Sequence, residues 1–315
     1  MDSWSNMEHQ SVLLTETITM LDVKKDGIYV DCTLGRGGHS AEILKQCPYG
    51  HLYGLDRDKQ ALEESQARLS RIGDNFTCIH TDFGHMRAAL ESYGVNKADG
   101  ILMDLGVSSP QFDDPARGFS YRYDARLDMR MDQTQELDAW TIVNTYSQEQ
   151  LFRIFRDYGQ DPHAYGIAKA IVKNRQEKSI DTTFELVDVI RSCLPAKVLN
   201  QKGHPAKQIF QAIRIEVNQE LDQLKMALQD AIEMLAPQGR LVVITFHSLE
   251  DRIVKTMFKE VAVQKKADRR LPQIGMENLE YELISRKPVT ASDSELALNR
   301  RAHSAKLRGL KRRDS

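Results

Sequence analysis

The sequence predicts a doubly wound α/β fold with a mostly parallel sheet and an all-α domain inserted into it. Three observations carry that expectation. Five short apolar runs, 27–31, 51–56, 76–80, 98–104 and 240–246, are each bounded by glycine, aspartate or a polar turn, as expected of strands buried on both faces. The connections among the first four read as helices, 59–69 being the clearest, which is the alternation of an α/β sheet. From 111 to about 206 the strand rhythm stops. A stretch of that size is too long to be a loop, so it reads as an inserted helical domain.

Taken in order, 27–31 ends in Asp31 and runs into the glycine turn Gly35-Arg-Gly-Gly38, after which 40–44 opens a helix. The run 51–56 ends in a second acid, Asp56. Within the insertion, Ser147-x-x-Gln150 and Thr182-x-x-Glu185 have the form of capping boxes. The apolar residues Phe184, Leu186, Val187, Val189, Ile190 and Leu194 suit one helical face against a small core. One long helix is expected from Pro205, with Ile213, Val217, Leu221, Leu224, Leu228, Ile232 and Leu235 in helical spacing until 237–239 stops it. Ser248-x-x-Asp251 should open another helix, and 281–285 and 302–307 should add two strands. The expected division is a discontinuous α/β domain, 1–111 with 207–315, around a helical domain, 112–206.

The chain has 315 residues, 41% hydrophobic and 28% charged, which predicts a packed core and argues against wholesale disorder. No apolar run reaches the roughly 18–20 residues that a membrane span needs, and 1–10 is polar with no signal-peptide core. Cys32, Cys47, Cys78 and Cys193 form no C-x-x-C pair. They read as scattered small hydrophobes in a reducing, cytoplasmic compartment, without a structural metal. The net charge of −2 is uninformative, but its distribution is not. Arg300, Arg301, Lys306, Arg308, Lys311, Arg312 and Arg313 crowd the end of the chain. They are either an RNA-binding block that contacts phosphates or a solvated tail.

The chemistry lies at the strand ends. Asp31 with Gly35, Gly37, Gly38 and His39, then Asp56, then Asp82-Phe83, then Asp104, should meet on one edge of the sheet, where ligands bind in such folds. The first two strands with the glycine turn have the shape of a nucleotide-binding βαβ unit, but the glycines read Gly-x-Gly-Gly and an acid precedes the loop. A pyrophosphate is poorly served by that acid. A ligand carrying an ammonium and a sulfonium tolerates it, which favours S-adenosylmethionine over NAD. Asp56 would then accept from ribose hydroxyls, Phe83 would cover the adenine, and Asp104 would lie nearest the reacting end. Beyond Asp104, Ser108 and Ser109 are candidate acceptors for the N–H bonds of an amine being methylated, although Ser-Ser-Pro is also an ordinary turn. Asp128, Arg130 and Asp132 form either an ion-paired turn or a wall of the substrate cleft. A nicotinamide oxidoreductase and an RNA-binding module that uses its nucleotide only structurally remain as alternatives.

With these residues identified, the chain resembles the RsmH (MraW) family of bacterial ribosomal RNA cytosine-N4 methyltransferases. The resemblance runs through His9-Gln-Ser-Val-Leu-Leu-Thr-Glu16, Asp31-Cys-Thr-Leu-Gly-Arg-Gly-Gly-His39 and Asp99-Gly-Ile-Leu-Met-Asp-Leu-Gly-Val-Ser-Ser-Pro-Gln111. It continues through Arg117-Gly-Phe-Ser120, Leu127-Asp-Met-Arg-Met-Asp132, Phe210-Gln-Ala-Ile-Arg-Ile215, Phe246-His-Ser-Leu-Glu-Asp-Arg252 and Asn299-Arg-Arg-Ala-His-Ser-Ala-Lys-Leu-Arg308. It implies a class I, Rossmann-like methyltransferase fold. It also implies methylation of N4 of one cytidine in the decoding centre of small-subunit (16S) ribosomal RNA, with the assembled subunit preferred. The implied cofactor is S-adenosylmethionine, leaving S-adenosylhomocysteine, with no metal. The implied cofactor residues are Gly37, Gly38, His39, Asp56, Phe83, Asp104 and Gln111, and the inserted domain becomes the substrate-recognition domain. Two departures stand out: Asp124-Ala-Arg126 replaces a frequent Asp-Gly-Pro, and His303 replaces a frequent arginine.

Overall fold

A computed structural model describes residues 11–106, 114–263 and 279–314, with the side chain of Arg300 excluded. The chain divides into two compact units, 1–106 with 223–315 and 107–222.

The first unit is built on a seven-stranded sheet. Its strands are β1 (Ile28–Asp31), β2 (His51–Asp56), β3 (Phe76–His80), β4 (Ala98–Asp104), β5 (Leu235–Thr245), β6 (Tyr281–Leu283) and β7 (Lys306–Arg312). They lie in the order β3-β2-β1-β4-β5-β7-β6. The first five pair in parallel, and β7 runs antiparallel between β5 and β6. Because successive side chains of a strand point to opposite faces, neighbouring apolar residues feed two separate cores. Tyr29, Leu102, Val242 and Ile244 pack with α1 (Leu14–Leu21) and α2 (Gly38–Gln46). Val30, Ile101, Met103, Leu241 and Val243 pack on the other face with Met86, Leu90, Leu224 and Leu228. This two-sided burial explains why the strands read as continuous apolar runs. The sheet order brings the carboxyl ends of β1, β2, β3 and β4 to one edge. Among the described residues no helix is long and apolar enough to cross a membrane.

The second unit is helical around its own core, which includes Leu127, Ile142, Leu151, Phe155, Ile167, Ile171, Leu186, Ile190, Ile209 and Ile213. The capping boxes of Ser147 and Thr182 are both formed. Leu186, Val187 and Ile190 turn inward as expected, whereas Phe184 is 43% exposed. Asn218 is buried and ties the segment around Met129 to a helix, its Nδ2 donating to the carbonyls of Met129 and Arg214 and its Oδ1 accepting from the N–H of Met131.

Four sequence expectations are corrected. The long helix expected from Pro205 is two, Lys207–Asn218 and Glu220–Met234, separated by Gln219 in the left-handed region at φ 50°. Because Ile209, Phe210 and Ile213 pack into the helical core, the units divide at 106/107 and 222/223 instead of 111/112 and 206/207. The helix after β5, Ser248–Ala262, is capped one residue earlier than expected, by a His247–Glu250 capping box in place of the Ser248–Asp251 pair. The last strand is Lys306–Arg312, while Arg300–Ser304 is a 3-10 turn.

That shift of the last strand also overturns the free basic tail. Lys306 and Arg308 both contact the Asp251 carboxylate, at 3.2 and 2.7 Å. Arg312 pairs with Glu280 and donates to the carbonyl of Leu235. Arg313 lies 3.3 Å and Lys311 3.9 Å from Glu282. The backbone of Arg301 closes an Asn299-capped turn. Most of the block that composition presents as a charged tail is a strand between β5 and β6, and Lys306, Arg308, Lys311, Arg312 and Arg313 are held by acids of the same unit.

Candidate active site

The carboxyl edge of β1, β2 and β4 is organised from its backbone outward. Asp31, 2% exposed, ends β1. One of its oxygens accepts from the Thr33 N–H at 3.1 Å, closing an Asx-type turn, and the other accepts from the Ser40 hydroxyl at 2.7 Å. Burial raises the pKa of Asp31, while the Ser40 and Thr33 bonds pull it back. Both oxygens face the chain's own donors, so Asp31 shapes the loop. Thr33 is the second fastener: its hydroxyl accepts from the backbone N–H of Asp104 at 2.6 Å, joining the ends of β1 and β4.

The glycine turn follows. Gly35 and Gly37 sit at φ +49° and +69°, where an L side chain is strained. A Cβ on Gly37 would come within 3.2 Å of the Ser65 hydroxyl, which itself donates to the Gly35 carbonyl at 2.6 Å. A Cβ on Gly38 would run into the Ser11 side chain. Asp56, at the end of β2, clasps this turn. It accepts from the Gly35 N–H at 2.8 Å with one oxygen and from the Asp58 N–H at 2.9 Å with the other. Burial raises its pKa against those two bonds. Each oxygen of a carboxylate has more than one lone pair, so Asp56 retains acceptor capacity. Phe83, in the 3-10 turn after β3, is half-buried, with the Arg57 guanidinium 5.7 Å from its ring centroid.

Asp104 and His39 complete the edge. The Nε2–H of His39 donates to the carbonyl of Val12 at 3.1 Å, and its Nδ1 faces Asp104 Oδ2 at 3.7 Å. Burial pushes the His39 pKa down to about 4, so the ring is neutral and Nδ1 is a bare acceptor. Asp104 Oδ1 is buried with no hydrogen-bond partner among the described residues. Its pKa is raised well above the usual carboxylate range, first by burial and then by the charges of Asp31 and Glu250. Glu250 is itself 3% exposed and accepts from the backbone N–H groups of Phe246 and His247.

Sequence reasoning thus brought Asp31, Gly35, Gly37, Gly38, His39, Asp56 and Asp104 correctly to one edge. Ser108, Ser109 and Gln111 lie outside the described residues. Thr33, Ser40, Ser65 and Glu250 were missed. The Asp31-x-Thr33 spacing of an Asx turn was a usable signal for the first, but Ser40, Ser65 and Glu250 reach the site only through tertiary packing. In the helical unit, Asp128 accepts from Arg130 Nε and Nη2 at 3.0 and 2.7 Å, which makes Leu127-Asp-Met-Arg-Met-Asp132 an ion-paired turn. The departure at Arg126 is absorbed by a 2.6 Å contact with Asp138.

The chain matches the family model described as the MraW methylase family over residues 6–313. It belongs to that family. Curated relatives cover nearly the whole chain. A protein of Exiguobacterium sibiricum named ribosomal RNA small subunit methyltransferase H is 52% identical over 302 residues, 96% of this chain and 97% of the relative. Proteins of the same name from Spiroplasma kunkelii and Lactiplantibacillus plantarum are 51% and 49% identical, over 97% and 98% of this chain and 98% of each relative. The fit of this MraW-family edge to S-adenosylmethionine rests on its own donor set. A buried carboxylate oxygen without a partner among the described residues, beside two further acids, suits a ligand with an ammonium and a sulfonium, and the glycine turn admits it close to the backbone.

Proposed function

We propose that this MraW-family chain methylates 16S ribosomal RNA with S-adenosylmethionine as the methyl donor, at N4 of a cytidine in the decoding centre of the small subunit. The observation that carries the reading is the Asp104 oxygen at the carboxyl end of β4, which has no partner among the described residues and lies among the charges of Asp31 and Glu250. When bound, S-adenosylmethionine supplies an electrophilic methyl group on a positively charged sulfur.

The chain's residues would divide the work as follows. Asp104 accepts from the ammonium of the methionine moiety, the one cation that both neutralises the acid cluster and satisfies its orphaned oxygen. Asp56 accepts from the ribose hydroxyls with its remaining lone pairs, and Phe83 covers the adenine. The turn through Gly35, Gly37 and Gly38 lies against the methionine, and His39 fixes the rim of that pocket by its bond to Val12. Ser108 and Ser109, just beyond Asp104 in sequence, accept the N–H bonds of the target amine and so localise its lone pair. Gln111 completes the cofactor contacts. Position and orientation provide most of the rate in such an in-line transfer. The amine's surplus proton leaves to water. The helical unit is the part that reads the RNA, in an assembled subunit, in the cytoplasm.

The test is methyl transfer from labelled S-adenosylmethionine to small subunits isolated from cells lacking the enzyme, with digestion to nucleosides and mass spectrometry. N4-methylcytidine at one site is expected. Label in another base, or none in subunits while the cofactor still binds, would refute the assignment.

A further inference from the structure

Lys306, Arg308, Lys311, Arg312 and Arg313 at the end of the chain are paired, but among the described residues another set of cations is not. On the helix Ser248–Ala262, the buried positions Leu249, Val254 and Phe258 face the sheet, while Arg252, Lys255 and Lys259 share the exposed side with Thr256 and a single acid, Glu260. At a rise of about 1.5 Å per residue, the three cations form a stripe about 10 Å long. Arg286 and Lys287, also exposed, follow β6. Lys255, Lys259 and Arg286 line one shallow recess with Phe258, Ser285 and Arg308. Among the described residues none of Arg252, Lys255, Lys259, Arg286 and Lys287 has an ion-pair partner. Asp251, the acid adjacent to Arg252, is occupied by Lys306 and Arg308. Like charges one helical turn apart destabilise a helix, so this stripe does nothing for folding.

We propose that this face, Lys255 and Lys259 with Arg286 around the recess and Arg252 and Lys287 flanking it, binds the phosphate backbone of the substrate RNA. The inference rests on the RNA-methylating reading above and adds the surface that holds the RNA. The stripe starts at the helix end next to Glu250, whose charge acts on Asp104, and runs away from that edge. A strand of RNA whose target base is at the methyl-transfer edge would continue over it. Several separate cations along a line suit successive phosphates, and sequence-independent contacts of this kind position a substrate without reading it.

The test is the salt dependence of binding to isolated small subunits, with methyl transfer measured in parallel. In the variant K255Q/K259Q/R286Q the slope of log affinity against log salt should flatten by about 2–3. KM for subunits should rise while kcat and S-adenosylmethionine affinity stay as in the wild type. A control, K24Q/K25Q/R71Q, removes three exposed cations of the same unit elsewhere and should keep the wild-type slope. An unchanged slope in the first variant overturns the proposal, and so does equal flattening in both, which would mean a diffuse field in place of a contact surface. Binding with the expected slopes but without methylation would instead count against the enzymatic reading alone.

Discussion

His39 Nδ1 and Asp104 Oδ2 face each other at 3.7 Å, a separation too long for a hydrogen bond. The imidazole is held neutral by burial, which outweighs the opposite pull of its bond to Val12, so it gives Asp104 no cation. Among the described residues the acid is thus left with a partnerless oxygen and the repulsion of Asp31 and Glu250. The site is unsatisfied by construction, and a bound cation relieves it.

Asp104→Asn should therefore make the free protein more stable and the cofactor complex weaker. A carboxyl whose folded pKa is raised contributes stability that is complete below its unfolded value of roughly 4 and is lost as pH rises through the folded pKa. The wild type thus carries a penalty near neutral pH that the amide removes. Relief of about 1–3 kcal/mol should raise the melting temperature by several degrees. Loss of a charge-assisted bond should weaken S-adenosylmethionine binding at least tenfold. A variant that melts lower and binds normally would contradict both halves.

Gly37→Ala should cost about 1–2 kcal/mol from its left-handed backbone alone, and its Cβ would also press on the Ser65 hydroxyl that braces Gly35. Gly38→Ala should be milder, since the Ser11 hydroxyl it meets can rotate away. Denaturant unfolding of both variants, with cofactor titration, checks the order. The reverse order would mean that the turn is not braced by Ser65.

In the helical unit, Asn218→Ala removes three hydrogen bonds and strands the Met131 N–H in a buried site. A loss of roughly 2–3 kcal/mol is expected, with S-adenosylmethionine affinity retained. Unfolding by denaturant measures it, and a change below about 0.5 kcal/mol would show that the contacts reorganise at little cost.

Deleting 311–315 should destabilise the α/β unit and not merely change its affinity for RNA. Lys311 pairs with Arg240 on β5, and Arg312 pairs with Tyr281 on β6 while its side chain caps the Leu235 carbonyl. A truncated protein with an unchanged melting temperature would restore the view of this segment as a tail.

The parallel half of the sheet was legible because its period and burial agree. Each of Val30, Ile101 and Leu241 has an apolar neighbour feeding the opposite core, and each strand ends in an acid or a turn. The antiparallel end was less legible. β7 carries Lys306, Arg308, Lys311 and Arg312 in a strand beside three acids, Asp251, Glu280 and Glu282, from two other segments, so its composition mimics a solvated tail. The helix break at Gln219 was hidden as well, because Ile213, Val217 and Leu221 keep helical spacing across it. In the site, the residues that touch a ligand in such folds stood at predictable strand ends. Ser40, Ser65 and Glu250, which hold or charge them, are brought in by packing that no local pattern records.

The most direct test of the account is calorimetric titration of S-adenosylmethionine into the protein across pH, in buffers of different ionisation enthalpy. If the acid cluster around Asp104 holds the cofactor's cation, binding should release a proton, and affinity should rise with pH through the raised pKa of Asp104 and then level off. Both effects should vanish in Asp104→Asn. A pH-independent affinity with no proton released, unchanged in that variant, would mean that the cofactor is held without the charge of Asp104.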